Sequence, residues 1–142
     1  MARTPAIPMD NPFHGSYEAE GAVYEYHAVI PGSDDHQVKE MTAGGAGDGT
    51  IIEGVVQDDA NDEESVKVVY FGPTWGYANA AIIRNARLEA IFSATAINNG
   101  RFQTIAAGSY TGKMVAGIAL EDAVELAKFK IFLTREIITR AD

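Results

Sequence analysis

The sequence predicts a mainly β protein: a compact antiparallel barrel or bent β-ribbon, with at most one or two short helices and an extended N-terminal arm. Three observations carry that expectation. Apolar residues come in short β-branched or aromatic runs separated by Gly-, Pro- or acid-rich stretches, the pattern of strands and turns. No long segment keeps a 3.6-residue period and no strand–helix alternation is present, so neither a helical bundle nor a parallel α/β sheet fits. The chain also repeats itself: residues 54–70, GVVQDDANDEESVKVVY, match residues 117–133, GIALEDAVELAKFKIFL, sixty-three positions on.

The two copies share Gly54/Gly117, Asp59/Asp122, Ala60/Ala123 and Lys67/Lys130. Each has an apolar run behind a glycine, an acidic pair with an alanine, and a second apolar run. That is strand–loop–strand. Two copies are too few for a solenoid. They fit either two similar hairpins in a β domain or a barrel or sandwich whose halves reuse one unit.

The elements follow in order. Residues 1–20 contain Pro5, Pro8 and Pro12, which fix φ and remove donors, so an extended arm is expected there and a single β domain over 21–142. Ile7, Met9 and Phe13 are apolar for a solvated tail and suit docking of a proline-stiffened arm onto another surface. GAVYEYHAVI (21–30) reads as a strand with Ala22, Tyr24, Tyr26, Ala28 and Ile30 on one face, ended by Pro31-Gly32. TAGGAGDG (42–49) is a Gly-rich loop. TIIEGVVQ and SVKVVYFG are strands flanking DDANDEE, and GPTWGY (72–77) reads as a turn punctuated by Gly and Pro. Over 81–94 a strand at 87–93 is favoured, after a possible helical turn. GRFQTIAA, KMVAGIAL and AKFKIFLTR supply three more strands.

Charge and composition narrow the function. The 142 residues are 46% apolar and 22% charged, with no cysteine, which fits one soluble domain without disulfides, thiolate chemistry or Cys-based metal sites. No apolar run approaches membrane-spanning length, and no signal peptide is expected. Net charge is −9, and residues 31–64 alone hold ten acids against Lys39. Such a surface repels phosphate, so nucleic acid is an unexpected partner. GGAGDG lacks the Lys-Ser/Thr of a P-loop. His14, His27 and His36 are dispersed, and DDANDEE lacks the glycine of an EF-hand loop, leaving only a weak cation site open on composition. No nucleophile signature appears, so neither catalysis nor a cofactor is expected. The dense aromatics Tyr70, Phe71, Trp75 and Tyr77 point to a subunit interface. Trp75 and Tyr77 alternatively suit stacking on a sugar in a carbohydrate-binding or adhesive module.

The Pro-containing arm followed by GVVQDDANDEESVKVVYFG and GKMVAGIALEDAVELAKFKIFL resembles the capsid decoration (cement) proteins of tailed bacteriophages, over roughly residues 50–134. The chain departs from that pattern at VELAK, where many relatives have a glycine turn, and in its aromatic GPTWGY. The resemblance implies a β-clip-like fold and a homotrimer on the outer capsid surface of a virion assembled in the host cytoplasm. It also implies the major capsid protein as partner, bound through the arm residues Pro5, Ile7, Pro8, Met9 and Phe13. A protein that binds only the assembled shell stabilises it by its binding free energy.

Overall fold

The computed structural model describes residues 13–42, 52–106 and 114–137. These residues form nine strands: β1 (Phe13–Ala19), β2 (Ala28–Pro31), β3 (Gln37–Glu40), β4 (Gly54–Val56), β5 (Ser65–Tyr77), β6 (Arg87–Ile91), β7 (Arg101–Thr104), β8 (Met114–Ala119) and β9 (Lys128–Ile137). A single 3₁₀ turn, Ala96–Asn98, is the one helical piece among the described residues. The mainly β, antiparallel barrel expected from sequence is what the chain adopts.

Strand order is β1-β3-β2-β4-β5-β9-β8-β6-β7, and β1 also pairs with β5. The first five strands therefore close into a ring. The second ring, β5-β9-β8-β6-β7, is closed by a parallel bridge between Ala78 and Phe102. The long strand β5 belongs to both: its first half pairs with β1 and β4, and Gly72–Tyr77 pair with β9. Closure removes exposed strand edges, which helps two very small barrels stand.

The rings repeat one register. Val55↔Val69 in the first becomes Ile118↔Phe132 in the second, a step of sixty-three on both strands. Ala28↔Val55 becomes Arg87↔Ile118, and Ser16↔Lys67 becomes Trp75↔Lys130, with a step of fifty-nine on the earlier strand. The parallel pair Ala19↔Val38 becomes Ala78↔Phe102. The match between 54–70 and 117–133 is thus the visible part of a tandem duplication spanning both barrels.

Between strands lie four copies of one bent segment, which we call elbows: residues 20–27, 57–64, 79–86 and 120–127. They join in pairs. Val23 and Ala60 exchange both backbone hydrogen bonds at 2.9 and 3.0 Å, and Ile82 and Ala123 do so at 2.8 and 2.9 Å. Each elbow contains one residue in the left-handed region: Tyr26, Glu63, Asn85 and Leu126, at φ 60–74°. That conformation costs a non-glycine residue about 1 kcal/mol or more. It aims the amide at the residue just before the partner elbow: Tyr26 N donates to Val56 O, Glu63 N to Ala19 O, Asn85 N to Ala119 O and Leu126 N to Ala78 O, all at 2.7–2.8 Å.

This geometry explains three of the four identities in the repeat. At Gly54 and Gly117 a Cβ would collide with the carbonyl oxygens of Val69 and Phe132, themselves equivalent residues. Asp59 and Asp122 each use Oδ1 to accept an amide of the partner elbow, from Glu25 at 2.7 Å and Arg84 at 2.8 Å. Ala60 and Ala123 are the bridging residues, where two backbones meet.

The barrels pack across a seam. One apolar cluster runs from Ala28, Ile30, Met41, Ile52, Val55 and Val69 of the first barrel into the interior of the second. Ala28 N donates to Gly100 O at 2.9 Å, and a Cβ on Gly100 (φ 87°) would lie 2.6 Å from Ala28 O, so only glycine fits there. His27, Asn99 and Arg135 add bonds across the same seam.

Three sequence expectations are corrected. Phe13–Ala19 is strand β1, where the sequence reading placed part of an arm over 1–20; the residues before 13 lie outside the described residues. Residues 21–27 are an elbow, not strand: Val23 is the buried bridge and Tyr26 turns the chain left-handed. GPTWGY is the second half of β5, not a turn. Pro73 is tolerated because β1 and β4 have ended by that point and β9 alone pairs there, making β5 locally an edge.

Candidate interaction surfaces

Of the arm residues singled out from sequence, Pro5, Ile7, Pro8 and Met9 lie outside the described residues. Phe13 opens β1 with 61% of its surface exposed. Its ring stacks 6.5 Å from Tyr70 and lies 5.7 Å from Phe71, whose ring meets Phe132 edge-on at 5.6 Å. The guanidinium of Arg135 sits 5.7 Å over Tyr70. These rings come together because β1 and β9 flank β5 at the point where it passes from one barrel to the other. The result is a partly exposed aromatic band at the start of β1.

The four aromatics read as one cluster separate into two groups. Tyr70 and Phe71 belong to the band. Trp75 and Tyr77 lie further along β5, both half-buried. The Lys128 and Lys130 ammonium groups stand 4.9 and 5.5 Å from the Trp75 ring centre, which covers it. Tyr77 meets the His27 ring at 5.3 Å and the Arg101 guanidinium at 5.7 Å. With Tyr24, Glu25, His27, Asp59, Ile97 and Arg101 it lines a cavity of about 300 Å³ between the barrels. Arg101 is 8% exposed, and its Nε and Nη1 have no hydrogen-bond partner. His27 places both ring nitrogens on backbone carbonyls, Glu25 O at 2.8 Å and Ile97 O at 2.9 Å.

Perturbed ionisable groups are scattered. Burial, then a 2.8 Å hydrogen bond to Glu53, pushes the Tyr17 hydroxyl up to about 12. Burial raises Glu40, and the Ser33 amide, at 2.6 Å, draws Glu20 below its usual range. No group of three His, Asp or Glu side chains is disposed to hold a metal among the described residues. In DDANDEE, Asp59 and Asp62 accept amides of the facing elbow.

A surface that the sequence reading missed lies on the second elbow pair. Ile83 is 76% exposed, Val124 71% and Leu126 59%, with Leu120 beside them. Single apolar residues in loops carry no signal. All four lie on the elbow pair 79–86 and 120–127, whose two members are joined by the bridge between Ile82 and Ala123.

No family model matches the chain, and no curated protein matches it. Among solved structures it is similar to the head fiber gp8.5 N base of bacteriophage phi29. The TM-score is 0.60 at 16% identity, covering 90% of this chain and 98% of that one. At that identity the likeness shows a shared fold.

Proposed function

We propose that this chain is a non-enzymatic structural protein of a bacteriophage virion, bound to the outer surface of the assembled capsid and bridging its shell subunits as a trimer. The observation that carries the reading is fold likeness to a phage head protein over nearly the whole of both chains. The sequence resemblance to capsid decoration proteins points the same way. The partner is the major capsid protein. Attachment runs through Pro5, Ile7, Pro8, Met9 and Phe13, with Phe13 continuing the arm onto the aromatic band. Copies meet through Tyr70 and Phe71, with Trp75 and Tyr77 on the flank. Fully burying an exposed Phe is worth roughly 1.5–3 kcal/mol, so the band is an economical place for a contact.

The test is co-sedimentation with purified shells, comparing the full chain with an Ile7→Asp, Met9→Asp, Phe13→Asp variant of unchanged melting temperature. Lost binding supports the reading. Equal binding removes the arm from attachment.

A second reading has one observation in its favour: Tyr77, with Tyr24 and Arg101, lines a cavity of about 300 Å³. In a carbohydrate-binding module Tyr77 would be the platform, because Trp75 already lies under two lysines. Retention on a glycan array that is lost in Tyr77→Ala would favour it.

A further inference from the structure

The two barrels treat one station of the repeat differently. In the first barrel the parallel neighbours Glu18 and Gln37 are bonded: Gln37 Nε2 donates to Glu18 Oε1 at 2.8 Å, and Gln37 Oε1 accepts the Asp34 amide at 3.0 Å. The register that carries Ala19↔Val38 onto Ala78↔Phe102 carries this pair onto Tyr77 and Arg101. A tyrosine ring thus stands where the carboxylate stood, and offers the Arg101 guanidinium its face at 5.7 Å. Nε and Nη1, which hold most of the N–H groups of a guanidinium, have no hydrogen-bond partner among the described residues, although Arg101 is only 8% exposed. A buried cation in that position is costly unless something supplies oxygen atoms to it.

Arg101 lines the cavity of about 300 Å³ between the barrels, at the lower end of the range of small-ligand sites. The rest of the lining decides what fits. Glu25 and Asp59 bring carboxylates to it, Asp59 with Oδ1 on the Glu25 amide at 2.7 Å. Tyr24, Tyr77 and Ile97 bring apolar surface. A free anion meets the two carboxylates, and a free cation meets Arg101. A neutral ligand with adjacent hydroxyl groups answers both signs, because each hydroxyl accepts from a guanidinium and donates to a carboxylate. The tyrosines and Ile97 ask in addition for a C–H face, which a pyranose presents and a small zwitterion does not. This set of side chains is not a consequence of the elbow backbone. At the corresponding stations of the second elbow pair, Ile83, Arg84 and Ala86 replace Tyr24, Glu25 and His27. The polar and aromatic residues occur only in the copy over which the second barrel closes.

We propose that this cavity binds an uncharged pyranose, with Arg101 donating to its oxygens, Glu25 and Asp59 accepting from its hydroxyl groups, and a C–H face of the ring against the tyrosines. The proposal rests on the carbohydrate reading of the same cavity and narrows it to neutral sugars. It leaves the virion reading untouched. One ring has few atoms with which to bind, so affinity is expected at about the millimolar level.

Titration of the full chain, followed by NMR, with the methyl glycosides of glucose, galactose, mannose and N-acetylglucosamine tests this, with glucuronate and glucosamine as charged counterparts. At least one neutral glycoside should bind, and both charged sugars should bind roughly tenfold or more weakly than it. Arg101→Met should lose the sugar by a similar factor while melting at the same temperature or higher, since it removes a buried charge without acceptors. A folding defect cannot produce that pairing. Glu25→Gln, which keeps the shape and removes a charge, should narrow the gap between the neutral sugar and glucuronate. Glucuronate binding as tightly as the neutral sugars overturns the proposal and leaves the carbohydrate reading standing. So does a neutral sugar held equally well by Arg101→Met and Glu25→Gln. No binding of any sugar across the millimolar range, with no retention on a glycan array, removes both.

Discussion

In the first barrel the interior is six valines and two alanines: Ala19, Val23, Val29, Val38, Val56, Ala60, Val66 and Val68, with the Tyr17 ring against them. At the same stations the second barrel has Ala78, Ile82, Leu88, Phe102, Ala119, Ala123, Phe129 and Ile131. The position of Tyr17 is taken by Gly76, where a Cβ would lie 2.9 Å from the Phe102 ring. One barrel is filled by Tyr17 over a small Val38, and the other by a large Phe102 over a bare glycine. The backbone is constant and the volume has moved from β1 to β7. Interiors must be filled to near crystal density, but which strand supplies the atoms is free.

The sharpest test of the equivalence is at the two glycines. Gly54→Ala and Gly117→Ala each force a methyl into a carbonyl of the neighbouring strand. Both should lose about 3 kcal/mol in urea unfolding. A large loss at one and none at the other would break the parallel.

Next come the differently filled interiors. Phe102→Val empties the second barrel and should cost about 3 kcal/mol. Adding Gly76→Phe restores a ring at the Tyr17 station, so the double variant should be more stable than Phe102→Val alone. The coupling in a double-mutant cycle should be roughly 1–3 kcal/mol. Strict additivity would mean that the two stations do not share space.

A pH effect should belong to the first barrel alone. The Tyr17 hydroxyl, pushed up to about 12 by burial and its bond to Glu53, is neutral in the folded state at a pH where the unfolded chain has lost the proton. Its contribution is fully present below pH 10, the ordinary tyrosine value, and is lost as pH rises toward 12. Because the group is partly solvated, the loss should be about 1 kcal/mol. Tyr17→Phe should remove that alkaline component, and an unchanged pH profile would rule Tyr17 out as its source.

The smallest expected change is in the acidic elbow. Glu63, left-handed at φ 71° and surrounded by Asp58, Asp59, Asp62 and Glu64, should gain a few tenths of a kcal/mol as Asn, which accepts that conformation and removes a charge. A gain that disappears in high salt would assign it to charge and not to the backbone.

How much of this was legible depended on what each half of the unit asks of its residues. In 54–70 and 117–133 the demands are local and chemically narrow. A glycine must stand where strands touch, an aspartate must accept the amide of the facing elbow, and an alanine must make the bridge. These recur as identities, so the repeat could be read directly. In 13–31 and 72–90 the demands are volumetric, and only Ala19/Ala78 and Ala22/Ala81 are identical at the fifty-nine step. Tyr17 against Gly76 looks like no relation until Val38 and Phe102 are seen to compensate. The aromatics failed as a single cluster for a similar reason. Tyr70 and Phe71 lie before the point where β5 changes barrels and Trp75 and Tyr77 after it, so neighbours in sequence face different surroundings.

By itself the sequence determined the class of the fold, the alternation of short strands with polar bends, the concentration of negative charge toward the first half and the existence of an internal copy. All of these are properties of composition and of residues a few positions apart. Only the tertiary structure decided that the copy extends to two closed barrels, that they share one strand, and that four elbows join as two pairs. It alone decided that the exposed Leu120, Ile83, Val124 and Leu126 fall on one elbow pair. Those facts rest on pairings between residues about forty positions apart, such as Ile82 with Ala123, which no local pattern encodes.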